Sequence, residues 1–344
     1  METVLKIVIG ILGVVAVWQA IRVFEISAKI KGSDTDQDVN DKDNKTQGFL
    51  LALFVVGLIG SFFWMVSAYA PMELPKSASV HGEDIDNLWD ISMGLIIIVF
   101  LITQPLLFGF GYWFRGKKGR KAVFLEHDNK LEFIWTVVPA LVLAVLIIYG
   151  LTTWSEVMNP SKDGEEPMVV EIYSKQFGWT ARYAGADNTL GYANVQKIEG
   201  ANVLGVDSTD KFSADDVVVT ELHLPVGKPV LLKFRSQDVI HSAYLPHFRV
   251  QMNCVPGTPT HFQFVPSVTT ADMRLDEHVI TKTNNINEIR KAKGDDPYEF
   301  DYLLLCNKIC GSAHYNMQLK VVVETQEEYD NWMKDQRAFA TLTK

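Results

Sequence analysis

Hydrophobic and polar positions divide this 344-residue chain sharply in two. In the first 155 residues, three stretches carry no charged side chain: 48–72, 91–114 and 133–155. Each exceeds the roughly 20 apolar residues needed to cross a hydrocarbon core about 30 Å thick. A shorter run, 7–21, is flanked by Lys6 and Arg22, whose long side chains can reach the interfaces at its ends. It reads as a retained helix rather than a signal peptide, because Ala16-Val17-Trp18-Gln19-Ala20 offers no small-x-small cleavage pattern. The pattern therefore predicts four membrane spans. Beyond Ser155 it changes to short β-branched and aromatic runs: MVVEIYS, VVVTELHL, PVLLKF, HFQFVP, FDYLLL and QLKVVVE. Turn-forming LPVGKP and CVPGTP punctuate them, which predicts the short strands of an all-β sandwich. The polar, Gly/Asp-rich residues 184–216 read as a long surface loop. TQEEYDNWMKDQRAF, with its Thr cap, early acids and late bases, reads as a C-terminal helix.

Charge adds an orientation. Arg22, Lys29, Lys31, Lys42 and Lys45 lie between the first and second runs, and only Lys76 lies between the second and third. Arg115, Lys117, Lys118, Arg120, Lys121 and Lys130 lie between the third and fourth. The positive-inside rule makes the first and third loops cytoplasmic and places everything after Ser155 on the opposite side. That half carries 26 acidic against 19 basic residues, and the whole chain has a net charge of −9. No basic stripe interrupts this balance, which argues against nucleic acid as a partner. The expected segments are an extra N-terminal span and cytoplasmic loop (1–47), a second span and exported loop (48–90) and a two-span helical hairpin (91–155). An exported domain (156–325) and a C-terminal helix and tail (326–344) follow.

The chemistry concentrates in LLLCNKICGSAHYNM, where Cys306, Cys310, His314 and Met317 are all side chains that bind soft metals. Thiolate, imidazole and thioether together select copper over hard ions. A mononuclear blue-copper site needs one Cys and two His. Two cysteines could instead bridge a pair of coppers, each also taking one imidazole. The second imidazole is expected from His241 in SQDVIHSAYLP, at the end of a strand. The competing reading is a Cys306–Cys310 disulfide, which an oxidising exported compartment permits. Cys254, in NCVPG, reads as a small buried residue.

Four stretches together carry a family resemblance: HDNKLEFIWTVVPALVL, KQFGWTARY, SQDVIHS with its following VPG, and CNKICGSAHYNM. From Trp89 onward the chain resembles subunit II of haem-copper cytochrome c oxidases. The resemblance implies a cupredoxin-like Greek-key exported domain carrying the binuclear CuA centre. Cys306 and Cys310 would be the bridging thiolates, His241 and His314 the imidazoles, Met317 a weak ligand, and the Lys308 backbone carbonyl the other. It implies electrons taken from cytochrome c, or from a haem domain of another complex, and passed to haem in subunit I. There oxygen reduction is coupled to proton translocation, with subunit III as a further partner. The implied location is a bacterial inner (plasma) membrane, with the C-terminal domain on the periplasmic side and lipid around the spans. An acidic domain face would then steer a basic cytochrome c.

The departures are informative. Lys308 stands where relatives carry a Glu whose carboxylate binds magnesium, and Asn253 stands where relatives often carry Asp. No magnesium ligand is expected from Lys308. Electron uptake is expected through Phe177 or Trp179, since QFGW replaces the usual aromatic arrangement. Glu132 aligns with an acid at a proton-channel entrance. The first two spans have no counterpart in the usual two-span subunit. A quinol oxidase subunit would lack the copper ligands. A membrane-anchored copper electron carrier or copper-delivery protein outside an oxidase is the alternative reading.

Overall fold

A computed structural model describes residues 2–30, 41–72, 74–158 and 166–342. Among the described residues, four helices are long and apolar enough to cross a membrane: α1 (Glu2–Ile30), α2 (Asp41–Tyr69), α3 (Gly82–Trp113) and α4 (Asn129–Met158). Their large apolar side chains point outward on all sides, Phe54, Ile98 and Leu141 among them. A helix that is hydrophobic all round is stable in lipid, not in water. This is a membrane protein. The helices overrun the charge-free stretches by a turn or more, because a helix continues through the polar interface as long as its backbone bonds are satisfied. The chain divides into two compact units, residues 1–70 with 96–129, and 71–95 with 130–344. Inside the first, α2 and α3 pack through Phe54–Phe108 and Phe62–Phe100, each with ring centroids 5.2 Å apart.

The second unit is built on ten strands. β1 (Met168–Lys175), β2 (Gly178–Tyr183), β3 (Val217–Val219), β5 (Val230–Ser236) and β8 (Thr260–Phe264) form one sheet, in the order β3-β2-β1-β5-β8. β4 (Leu222–Pro225), β6 (His241–Leu245), β7 (Val250–Cys254), β9 (Tyr302–Cys306) and β10 (Gln318–Glu324) form the other, ordered β4-β10-β9-β6-β7. Parallel pairing of β1 with β5 and of β4 with β10, amid otherwise antiparallel neighbours, gives the mixed sandwich expected of a cupredoxin-like domain. Ile172, Leu232 and Phe234 from the first sheet meet Leu224, Leu245, Leu304 and Val321 from the second, all fully buried. Each such side chain contributes about 1.5–3 kcal/mol by leaving water.

Three features depart from the sequence expectation. VVVTELHL is not one strand: it breaks at Thr220–Glu221, and β3 and β4 join different sheets. Residues 184–216 are not a free surface loop. They cover the outer face of the first sheet, where Tyr173 packs with Leu204, Val206 and Phe339 in a second small core. Beneath them lies a charge network: Arg182 reaches Glu171 at 2.9 Å and Asp216 at 3.0 Å, and Arg235 holds Glu171 at 2.7 Å. Arg182 and Arg235 also donate to the carbonyls of Gly191 and Leu204, which ties the covering segment down. The third departure is α6 (Glu277–Lys293), with the short α5 (Thr270–Arg274) before it, between β8 and β9. α6 is mostly polar and buries only Val279, with Ile280 and Ile289 exposed, so its hydrophobic period is too weak to announce it.

The C-terminal helix is present as α7 (Gln326–Lys334). Thr325 and Glu328 form a reciprocal capping box at its start. Trp332 stacks on His223 with centroids 4.0 Å apart, docking the helix on the sandwich. The segment before α3 is stitched to the domain at the Leu245 end of β6, with Ala78 N–H donating to the His247 carbonyl at 2.7 Å.

Candidate metal centre

β6 and β9 are antiparallel neighbours, with Ala243 opposite Cys306. That register brings the first residue of one strand and the last of the other to the same end of the sheet. His241 Nδ1 lies 3.8 Å from Cys306 Sγ as a result. The chain then leaves β9, passes Gly311 and a single 3₁₀ turn at His314–Asn316, and returns as β10. The loop is pinned by Asn307 N–H to the Ser242 carbonyl at 2.9 Å and Cys306 N–H to the Met317 carbonyl at 3.1 Å. It carries Cys310 Sγ to 3.9 Å from Cys306 Sγ, and His314 Nδ1 and Met317 Sδ to 3.6 and 3.8 Å from Cys310 Sγ. The Lys308 carbonyl oxygen completes the set, 3.2 Å from Cys306 Sγ. The donor atoms of His241, Cys306 and Cys310 all lie within 4.8 Å of one another, a spacing one metal site can bridge.

All five side chains singled out as ligands therefore converge, together with the carbonyl. The disulfide reading fails on distance. A disulfide needs about 2.05 Å between sulfurs, whereas Cys306 and Cys310 are free thiols at 3.9 Å. Burial, reinforced by Cys306, pushes the Cys310 thiol up to about 11. Lys308 is no obstacle, since its backbone faces the sulfur while its side chain is exposed. Cys254 stays outside the cluster, fully buried opposite His241 in β7, and burial pushes its thiol up to about 12.

Residues of the β1–β2 and β5–β6 turns brace the cluster from the side. Asp238 accepts hydrogen bonds from His241 Nε2 at 2.8 Å, Gln176 N–H at 2.7 Å and Val239 N–H at 2.7 Å. With Nε2 donating to the carboxylate, the Nδ1 lone pair is left facing Cys306, which is the tautomer a metal needs. Burial works to raise the Asp238 carboxyl, but the donors from Gln176, His241 and Val239 outweigh it and hold it below the ordinary value. The Gln176 side-chain amide donates to the Cys310 carbonyl. Gly311 has φ 144°, and a Cβ there would come within 2.7 Å of the Phe177 ring, so the ring and the turn fit only around glycine.

The two aromatics considered for electron uptake separate by depth. Trp179 is buried at 5% exposure, its indole N–H donating to the Met317 carbonyl at 3.5 Å and its ring 6.1 Å from that of His241. Phe177 is at the surface, 37% exposed. Glu132 is not part of this cluster: it stands half-buried in the first turn of α4, about 40 Å of helix from Met158. Asn253 lies in β7 with its carbonyl accepting from Thr260 Oγ1 at 2.6 Å. Sequence reasoning missed Asp238 and Gln176. Asp238 sits three residues before His241 in a turn, a spacing that could have been found. Gln176 carried no signal, because only the pairing of the sheets places it over the loop.

A family model, cytochrome c oxidase subunit II, transmembrane domain, matches residues 67–153. The alternative cytochrome c oxidase subunit 2 of Bradyrhizobium diazoefficiens is 32% identical over 261 residues, covering 75% of this chain and 82% of that one. The chain belongs to the cytochrome c oxidase subunit II family. The subunit 2 of Thermostichus vulcanus is 28% identical over 315 residues, spanning 85% of this subunit II and 86% of its own length. Among solved structures, the periplasmic domain of subunit II of cytochrome oxidase from Bradyrhizobium japonicum covers 48% of this chain and 91% of its own. Its identity is 19% and its TM-score 0.29, so membership rests on the sequence relatives. As a subunit II, the protein is a component of an oxygen-reducing oxidase rather than a free-standing carrier.

Proposed function

We propose that the six converging donors hold a pair of copper ions and that this subunit accepts electrons for a respiratory terminal oxidase. The observation that carries the reading is the near-symmetric chain His241–Cys306–Cys310–His314, with successive separations of 3.8, 3.9 and 3.6 Å. The Lys308 carbonyl stands on the Cys306 side and Met317 on the Cys310 side. The donor set fits the group, because two thiols, two imidazoles and a thioether suit copper far better than a hard cation. When bound, such a pair would supply a one-electron relay, held by the Cys306 and Cys310 thiolates together with His241 and His314. The chain contributes the fixed geometry. β6 and β9 hold two donors by strand pairing, Asp238 orients His241, and Trp179 and the buried Met317 wall the inner side against water. Donors held this rigidly rearrange little when an electron arrives.

In this reading electrons come from cytochrome c or a haem domain of another complex, pass Phe177 on the outer side, and leave for haem in subunit I, with subunit III alongside. The membrane is then a bacterial plasma membrane with Glu132 at a cytoplasmic proton entrance, and the loop charges support the sandwich lying on the side away from the cytoplasm. With Lys308 and Asn253 in place of carboxylates, this subunit offers no family-type magnesium ligand at those positions.

The test is metal analysis and electron paramagnetic resonance on the intact purified complex. Two coppers per copy of this chain, with one unpaired electron shared between them, is the expected result. No copper, or a single-copper spectrum, would overturn the proposal. Met317→Leu should retain both coppers and shift the reduction potential, since a thioether is a weak donor that tunes more than it holds; redox titration of the centre checks this. Asp238→Ala should lower copper affinity about 10–100-fold by freeing the His241 ring, read by competition with a chelator.

A further inference from the structure

The ligand end of the sandwich is ringed by apolar side chains that no packing explains. Ile309 is 87% exposed and Tyr315 89% exposed, and each is the immediate neighbour of a donor, Cys310 and His314. Val239 and Ile240, 38% and 44% exposed, precede His241, and Phe177 lies against Gly311 between them and the loop. A soluble surface rarely leaves such side chains clustered unless something covers them.

The charges on the same loops are as telling. Across residues 174–179, 237–241 and 306–317 the lysine, arginine and carboxylate side chains are Lys175, Lys308 and Asp238 alone. Asp238 accepts three internal hydrogen bonds with its side chain 31% exposed, and the exposed Lys175 and Lys308 outnumber it two to one. The acidic excess of the exported half therefore lies elsewhere on the domain, and the rim projects positive charge. A basic partner would be repelled at the point of closest approach, although the domain's net charge favours it from afar.

We infer that this rim is a docking face for a haem protein whose contact surface is apolar and neutral to acidic, not ringed by lysines. Phe177, Val239, Ile240, Ile309 and Tyr315 form the contact, and Lys175 and Lys308 select against basic donors. The inference rests on the electron-uptake reading above and names its partner class. It replaces the expectation that an acidic face draws in a basic cytochrome c.

The experiment uses the intact oxidase with two reduced soluble cytochromes c as probes, one strongly basic and one acidic. Turnover is followed from roughly 10 to 200 mM salt, a range over which screening of surface charges grows several-fold. The acidic probe should show the lower KM at low salt. Ile309→Asn and Tyr315→Ser should each raise that KM about tenfold, the effect of losing an apolar anchor at an interface, while the absorption spectrum of the metal centre stays in place. A lower KM for the basic probe, with turnover falling steeply with salt, overturns the inference. So does an unchanged KM in both variants. Shielding of Tyr315 by another subunit of the resting complex, read by hydroxyl-radical footprinting, overturns it as well. If the wild-type complex lacks the metal spectrum, the electron-uptake reading falls. If the spectrum is present and the rim variants are silent, only the docking face falls.

Discussion

Replacing Cys306 by serine should stop electron delivery while leaving the fold intact. Cys306 Sγ is the atom shared by most of the cluster: His241 at 3.8 Å, Cys310 at 3.9 Å and the Lys308 carbonyl at 3.2 Å all meet there. Serine is nearly the same size, and Cys306 is only half-buried at the end of β9, so strand pairing should survive. Its hydroxyl, however, is a hard and weakly acidic donor that cannot replace a thiolate for a soft metal. Removing a group that merely supports a ligand costs about 10–100-fold. If the proposed pair of coppers shares Cys306, its loss should exceed about a hundredfold in the rate at which a cytochrome c reduces the oxidase haem, measured by stopped flow. Thermal unfolding of the complex should move little. A variant with wild-type haem reduction would show that Cys306 does not join the two halves of the cluster.

The second large effect concerns stability. Arg182→Ala should destabilise the sandwich by about 3–5 kcal/mol, the usual consequence of leaving buried charges without their partner. Arg182 is 3% exposed, and it alone bridges Glu171, 7% exposed, and Asp216, fully buried. The loss should depend on pH. Burial raises the Asp216 carboxyl to about 6, despite the opposing pull of Arg182. Its folded value thus lies above its unfolded one. Stability from the neutral acid is fully present below the ordinary carboxylate range and is lost as pH rises through about 6. Arg182 matters most once Asp216 is charged, so the variant's deficit should be larger at pH 8 than at pH 5. Denaturant titration at the two values checks the sign, and an equal deficit at both would refute it. An Asp216→Asn background should remove much of the difference.

This network also marks where the sequence stopped being legible. The four spans could be read because each carries its signal within its own residues, as an unbroken apolar run. The cluster could be read because Cys306, Cys310, His314 and Met317 share one short loop, and only His241 had to be sought at a distance. The segment 184–216 resisted for the opposite reason. Its polar residues look solvated, and what fixes it is supplied by Glu171, Arg182 and Arg235, which project from the strands it covers. β1 appears in sequence as an ordinary short apolar strand, and nothing in it announces that Glu171 and Tyr173 are covered. Similarly, the break between β3 and β4 costs only two residues, and no local pattern says which sheet each half will join. α6 was invisible because a helix that buries one side chain has too weak a period to detect.

The direction of β9 has a practical consequence. The strand runs toward the ligands, so everything joined to its beginning, including α5, α6 and the turn at Gly294, belongs to the opposite end of the sheet. Five strand residues, about 17 Å of chain, separate that end from the sulfurs. Gly294 caps α6 in the left-handed conformation with open space around it, and none of the six donors depends on its neighbours. The turn after α6 is thus a natural splice point. A fluorescent reporter or affinity handle inserted there would travel with the assembled oxidase while β6 and β9 kept the spacing of the clustered sulfur and imidazole atoms.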